Sequence, residues 1–218
     1  MEIERRTPEN TAIVLIDYVT GFANVFSSQP LSDNISGGIA LVKIAKGYGI
    51  PLVVTLGPEQ DPRGGIYPEI AAVLGDHPIV HRAGSFDAFS FPGFAEAVEA
   101  TGRKHLVIAG LMSEGCILYT SLEALRRGYT VSIVIDATAG ATTPIHDAAM
   151  LRLTQLGVTP TSWLSLASEF QVTYDNLETV GIYMDVMTHS PGFAMNIRAI
   201  SSAQMLGSLQ AQALLEKA

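Results

Sequence analysis

Apolar runs of strand length alternate along the chain with longer segments of helical spacing. Thr11-Ala12-Ile13-Val14-Leu15-Ile16-Asp17 is a run rich in β-branched residues and closed by a carboxylate, which predicts a buried strand. From Asn34 to Lys46, Ile39, Leu41, Val42 and Ile44 form one broad apolar face, predicting a helix closed by Gly47. Pro51 to Leu56 predicts a second strand, and the prolines and glycines from Gly57 to Gly65 predict a loop. Ile79 to His81 reads as a short strand. Phe91 to Ala100 reads as a helix, with Pro92 in its first turn and Ser90 as its N-cap. Leu106 to Gly110 predicts a central strand, and a helix follows from Glu114 to Arg127 with Gly128 as its stop. A strand at Thr130 to Asp136, a helix at Pro144 to Leu156 and a short strand at Thr159 to Trp163 complete the series.

Continuous apolar strands alternating with helices imply right-handed βαβ units, hence an α/β fold whose mainly parallel sheet is covered on both faces. No internal repeat or linker interrupts this pattern before about residue 172. The chain therefore divides into a single domain, residues 1–175, and a C-terminal segment, residues 176–218. Residues 174–198 lack a period, and Ser201 to Glu216 predicts a weakly amphipathic helix suited to an oligomerisation arm.

Composition narrows the function classes. Thirteen basic against 21 acidic side chains give a net charge of −8, with no basic cluster beyond pairs, so a nucleic-acid partner is not expected. Charged residues are 16% and apolar residues 48% of the chain. The charge content falls below the roughly 25% of ordinary domains, pointing to surface buried in a homo-oligomer. A single cysteine excludes an internal disulfide framework and a Cys-rich zinc site. No apolar run approaches the roughly 18 residues of a membrane span, so no membrane partner is expected. The charged start, Met1 to Arg6, lacks a signal peptide's apolar stretch, and the expected compartment is cytoplasmic.

Two groups stand at the carboxyl ends of predicted strands, where parallel sheets place reactive groups. Asp17 closes the first strand. Cys116 follows Leu106–Gly110 after a short turn and starts a helix, where the macrodipole and free N–H groups favour a thiolate and can hold an oxyanion. Each also has a structural reading: a small buried hydrophobe for Cys116, a turn cap for Asp17. His77, His81, His105, His146 and His189 lack metal-ligand spacing, and no metal or cofactor is expected. Neither G-x-S-x-G, G-x-G-x-x-G nor a P-loop is present.

In order and spacing, Asp17, Val80-His81-Arg82, Gly110-Leu-Met-Ser-Glu-Gly-Cys116, Leu122-Glu-Ala-Leu-Arg-Arg-Gly128-Tyr129 and Val134-Ile-Asp136-Ala137 resemble the isochorismatase-like cysteine hydrolases. Phe94 to Lys104 is most similar to the YcaC-like branch of that family. The resemblance, over roughly residues 8 to 170, implies a three-layer α-β-α, doubly wound fold and an Asp–Lys–Cys triad attacking a small amide-type substrate through an acyl-enzyme. It implies Asp17 as base and Cys116 as nucleophile. An oxyanion hole would come from the backbone at Met112, Ser113 and Cys116, with a cis peptide at Met112–Ser113. The residue in register with the family lysine is Arg82, which keeps the positive charge in a larger, planar group that does not deprotonate. Its structural reading is a salt bridge to Asp17 or a nearby carboxylate. Phe22, His81 and Phe89 are candidate pocket residues. Three functions stay open: a metal-independent hydrolase of a small amide, a non-catalytic oligomeric binding or scaffold protein that has lost the lysine, and a redox-sensing thiol.

Overall fold

The computed structural model describes residues 5–215. Six strands form one sheet, parallel throughout: β1 (Thr11–Ile16), β2 (Leu52–Leu56), β3 (Ile79–His81), β4 (His105–Leu111), β5 (Thr130–Ala139) and β6 (Thr159–Thr161). Their order is β3-β2-β1-β4-β5-β6, so the chain winds outward from β1 to one edge, returns to the other side of β1, and winds to the opposite edge.

Helices cover both faces. On one lie α1 (Leu31–Gly47), α2 (Pro68–Leu74), α6 (Trp163–Gln171) and α7 (Val180–Met187), and on the other α3 (Pro92–Ala100), α4 (Leu118–Arg126) and α5 (Thr143–Gln155). Side-chain alternation along each strand divides the core. Ile13 and Leu15 of β1 pack with Leu41, Ile44, Ile70 and Phe170, whereas Ala12, Val14 and Ile16 pack with Phe94, Val98 and Ile117. All six β1 residues are inaccessible, as a central strand of a sheet covered on both faces must be. This is the doubly wound, three-layer α-β-α fold that the sequence predicts.

The differences are local. α1 begins at Leu31 rather than Asn34, directly after Pro30, whose fixed φ suits a helix entry. The short α2 falls where no helical period could be read; Pro68 opens it and Gly75 ends it at φ +62°. The expected helix over Glu114–Arg127 is two pieces: a wide turn, Ser113–Ile117, broken at Gly115 (φ −115°, ψ −107°), and then α4. β5 runs three residues past Asp136 because its pairing with β4 slips between Ile108 and Gly110. The last strand stops at Thr161, since Ser162 caps α6 by accepting from the Ser165 N–H. α7 lies in the stretch without a period and inserts Tyr183, Val186 and Met187 into the core. The terminal helix, α8 (Pro191–Leu215), starts ten residues before the expected one. No helix among the described residues is long and apolar enough to cross a membrane.

Candidate active site

The sheet reverses its winding between β1 and β4, and crevices form at the carboxyl ends of strands at such a point. Ile16 and Gly110 are paired across that junction, so the residues that follow them emerge side by side. At Asp17 the backbone turns into the left-handed region (φ +54°). Its N–H still donates to Thr55 O at 2.9 Å, continuing the sheet, while its own carbonyl accepts from Val19 N at 2.7 Å. That turn is unusual for a non-glycine residue and fixes the carboxylate at the end of the strand.

Arg82 follows β3 and reaches back across β2. Its N–H donates to Leu56 O at 3.0 Å, and its guanidinium donates to Ser85 O at 3.0 Å and to Asp17 Oδ2 at 2.5 Å. Both partners are buried, Asp17 1% and Arg82 6% exposed, so this ion pair is largely unscreened. Asp17 Oδ1 is buried and makes no full hydrogen bond. The Cys116 thiol, only 7% exposed, completes the group. Burial, then the charge of Asp17 and its hydrogen bonding to the protonated thiol, push the Cys116 pKa up to about 12 against the opposing influence of Arg82. Burial beside a carboxylate therefore opposes the thiolate that a helix start would favour. Cys116 lies in the wide turn ahead of α4, and desolvation beside a carboxylate dominates there.

Asp17, Arg82 and Cys116 share a cavity of about 270 Å³ with Arg63, Ser85 and Phe86. Phe86 stands at its rim, 65% exposed and stacked on Tyr119 with centroids 6.2 Å apart. Arg63 is held firmly. Asp61 grips its Nε and Nη2 at 2.5–3.0 Å, Phe22 lies 5.2 Å beneath its guanidinium, and Gly21 N donates to its carbonyl at 2.6 Å. The hydrogen bonds from Arg63 lower the Asp61 pKa and keep that carboxylate charged. No bond among the described residues occupies Arg63 Nη1, and the side chain is 41% exposed.

The three candidate pocket residues lie elsewhere. Phe22 packs on the first core and supports Arg63 from below. The His81 ring points to Gly57 O, 2.8 Å from Nδ1. Phe89 is core, edge-on to Phe94 at 5.0 Å and covered by Arg127. The cis peptide is at Leu111–Met112, one bond earlier than expected. After it the Met112 carbonyl accepts from the N–H groups of Gly115 and Ile117 at 3.0 and 3.3 Å, which fixes the loop that carries Cys116. Arg63 and Phe86 were not found from sequence because both sit in loops without a period. The forked Asp61-Pro62-Arg63 spacing was the one available signal. Among the described residues no cluster of three or more His, Cys, Asp or Glu could hold a metal ion.

The fold is a doubly wound α/β sheet with an acid, a cation and a thiol around a cavity at its switch point. The chain belongs to the isochorismatase family of hydrolases, with residues 11–165 matching the isochorismatase domain. It is 29% identical over 189 residues to the probable hydrolase YcaC of Escherichia coli, covering 87% of this chain and 90% of that one. The crystal structure of that protein, described as an octameric hydrolase of unknown specificity, superposes with a TM-score of 0.86 at 25% identity, covering 93% and 99% of the two chains. YcaC from Pseudomonas aeruginosa, solved with hexane-2,5-diol and covalent acrylamide, gives 0.86 at 26% identity, covering 92% and 99%. A probable inactive nicotinamidase of Arabidopsis thaliana is 29% identical over 188 residues, covering 70% and 92%.

Proposed function

We propose that this protein hydrolyses a carbon–nitrogen bond in a small amide-type substrate through a covalent intermediate on Cys116. The observation that carries this reading is the shared burial of Asp17, Arg82 and Cys116 on one cavity. A thiol held protonated needs a base at the moment of attack, and the Asp17 carboxylate beside it supports that role. Asp17 takes the thiol proton as Sγ bonds to the carbonyl carbon and the C=O π pair moves onto oxygen, and Arg82 offsets the negative charge that develops on sulfur as the proton leaves. Backbone N–H groups from Met112, Ser113 and Cys116 receive the oxyanion. Collapse breaks the C–N bond, Asp17 returns the proton to the leaving nitrogen, and water then releases the acid from the thioester. Bound metal has no role in this scheme.

Arg63 supports a further restriction. A rigid guanidinium on the cavity wall, with an Nη1 that no described residue engages, suits a substrate carrying a carboxylate or carbonyl away from the scissile bond. The exposed apolar side chains of α8 and the octameric YcaC relative support a homo-oligomer with α8 as its arm, whereas α7, earlier in the 176–218 segment, packs into the domain core through Tyr183, Val186 and Met187. A cytoplasmic location follows the same reading.

The test is turnover of nicotinamide, isobutyramide, N-carbamoylglycine and benzonitrile by the wild type and by Cys116→Ala. The expected result is hydrolysis of at least one compound and its loss in the variant. Turnover unchanged in Cys116→Ala sinks the assignment. A second reading, a non-catalytic relative, is favoured by arginine at the lysine position and by the similarity to a probable inactive nicotinamidase. It predicts that the wild type binds panel compounds and releases no ammonia. A redox-sensing thiol is disfavoured, because such chemistry starts from an exposed thiolate, and Cys116 is buried with its pKa pushed up by that burial.

A further inference from the structure

The hydrolytic scheme needs the loop between β4 and Cys116 to hold its N–H groups in one place, yet Gly115 gives that loop freedom. Its two preceding side chains supply the restraint. Ser113 is fully buried, and its hydroxyl lies 2.6 Å from His146 Nδ1 in the first turn of α5. Glu114 Oε1 accepts from Ala141 N at 3.1 Å. Both contacts converge on Gly140, where a Cβ would fall 2.8 Å from Glu114 Oε2 and 3.1 Å from His146 Cβ. Only a residue without a side chain lets the corner between β5 and α5 close on the loop this tightly. Gly140 is itself fixed, its N–H donating to Ser28 Oγ at 2.9 Å.

Resting on the hydrolase reading, we infer that His146 is a positioning residue for the reaction, holding the oxyanion side of the nucleophile loop through Ser113. The restraint takes the hydroxyl as donor and the unprotonated Nδ1 of the neutral ring as acceptor. Burial pushes the His146 pKa down, which keeps it neutral near pH 7, against Asp147 on its own helix and Glu114 on the loop. Protonation at Nδ1 would remove the acceptor and release Ser113. Asparagine can present Oδ1 near the place of Nδ1 and does not titrate, so it should keep the restraint and lose its pH dependence.

The experiment separates attack by the thiol from stabilisation of the oxyanion. Iodoacetamide alkylation of Cys116 needs the thiol and its neighbours and no oxyanion hole. Isobutyraldehyde needs both: Sγ bonds to the carbonyl carbon, the C=O π pair moves onto oxygen, and the thiol proton passes to Asp17, leaving an oxyanion for the loop's N–H groups. Its protection of Cys116 from iodoacetamide therefore reads the loop without turnover. In full-length His146→Ala the expected result is at least 10-fold weaker protection, and kcat at least 10-fold lower on whichever panel compound the wild type hydrolyses fastest, with KM and unprotected alkylation within two-fold. In His146→Asn, protection and kcat should return to within about three-fold of wild type, and the acid-side loss of kcat, which in the wild type begins below the ordinary histidine range, should move to lower pH. Unchanged protection in His146→Ala overturns the inference and leaves the hydrolase standing. So does a parallel loss of alkylation, which would mean collapse of the whole cavity. Absence of both turnover and protection in the wild type overturns the hydrolase reading, and this inference with it.

Discussion

Asp17 has two opposing effects on Cys116, and a substitution separates them. As a charge it holds the thiol protonated; as a base it must remove that proton when substrate is present. Asp17→Asn removes the charge, so the thiol pKa should fall and iodoacetamide alkylation at pH 8 should accelerate. Turnover should fall by about 10²–10⁴-fold because no base remains. Alkylation and turnover moving in the same direction would contradict the base assignment. Arg82 acts in the opposite sense, lowering the thiol pKa, so Arg82→Gln should slow alkylation. Breaking this buried pair from either side strands one charge and costs about 3–5 kcal/mol, measurable as a drop in urea midpoint. Arg63 stands outside this proton transfer. Arg63→Gln should raise KM for N-carbamoylglycine about 10-fold and leave KM for isobutyramide nearly unchanged. Equal effects on both would remove carboxylate recognition from the account.

At the scale of elements, the junction of β1 and β4 is the most constrained part of the scaffold. Gly110 has φ +135°, and a Cβ there would lie 1.9 Å from Ile16 O. Gly110→Ala should cost more than about 3 kcal/mol, since neither strand can move without displacing Asp17 or Cys116. Gly49→Ala is the control: φ is +67° but the space is open, and the cost should stay near 1 kcal/mol. Chemical denaturation of both variants checks the contrast. The strands were legible in the sequence because central strands covered on both faces are written as unbroken apolar runs. Asp17 and Cys116 were legible because each follows such a run. What escaped depends on tertiary contacts without a period. Arg63 is held from outside its loop by Phe22 and Gly21, α2 is seven residues long, and the wide turn at Cys116 reads locally as helix. The Cys116 pKa escaped for a related reason: Asp17 is 99 positions away in sequence and adjacent only once the sheet forms.

For the whole molecule, the winding order explains how three distant segments meet. Asp17 and Cys116 flank the switch between β1 and β4, and Arg82 spans from the β3 edge across β2. The low charge content noted from composition has its counterpart in α8. Every residue from 198 to 208 is exposed, including Ile200, Met205 and Leu206. A helix so placed has its apolar positions in water unless a second copy covers them. Light scattering should therefore give a multiple of the monomer mass, and Met205→Glu with Leu206→Glu should lower it. A monomeric wild type would contradict the arm.

The central claim is that Cys116 carries the acyl group. Intact-protein mass spectrometry, with acid quenching during hydrolysis of the fastest panel compound, tests it most directly. The predicted result is a mass increase equal to the acyl group, mapped by digestion to Cys116 and absent from Cys116→Ala. Turnover with no adduct on Cys116 under single-turnover conditions, or an adduct on another residue, would contradict it.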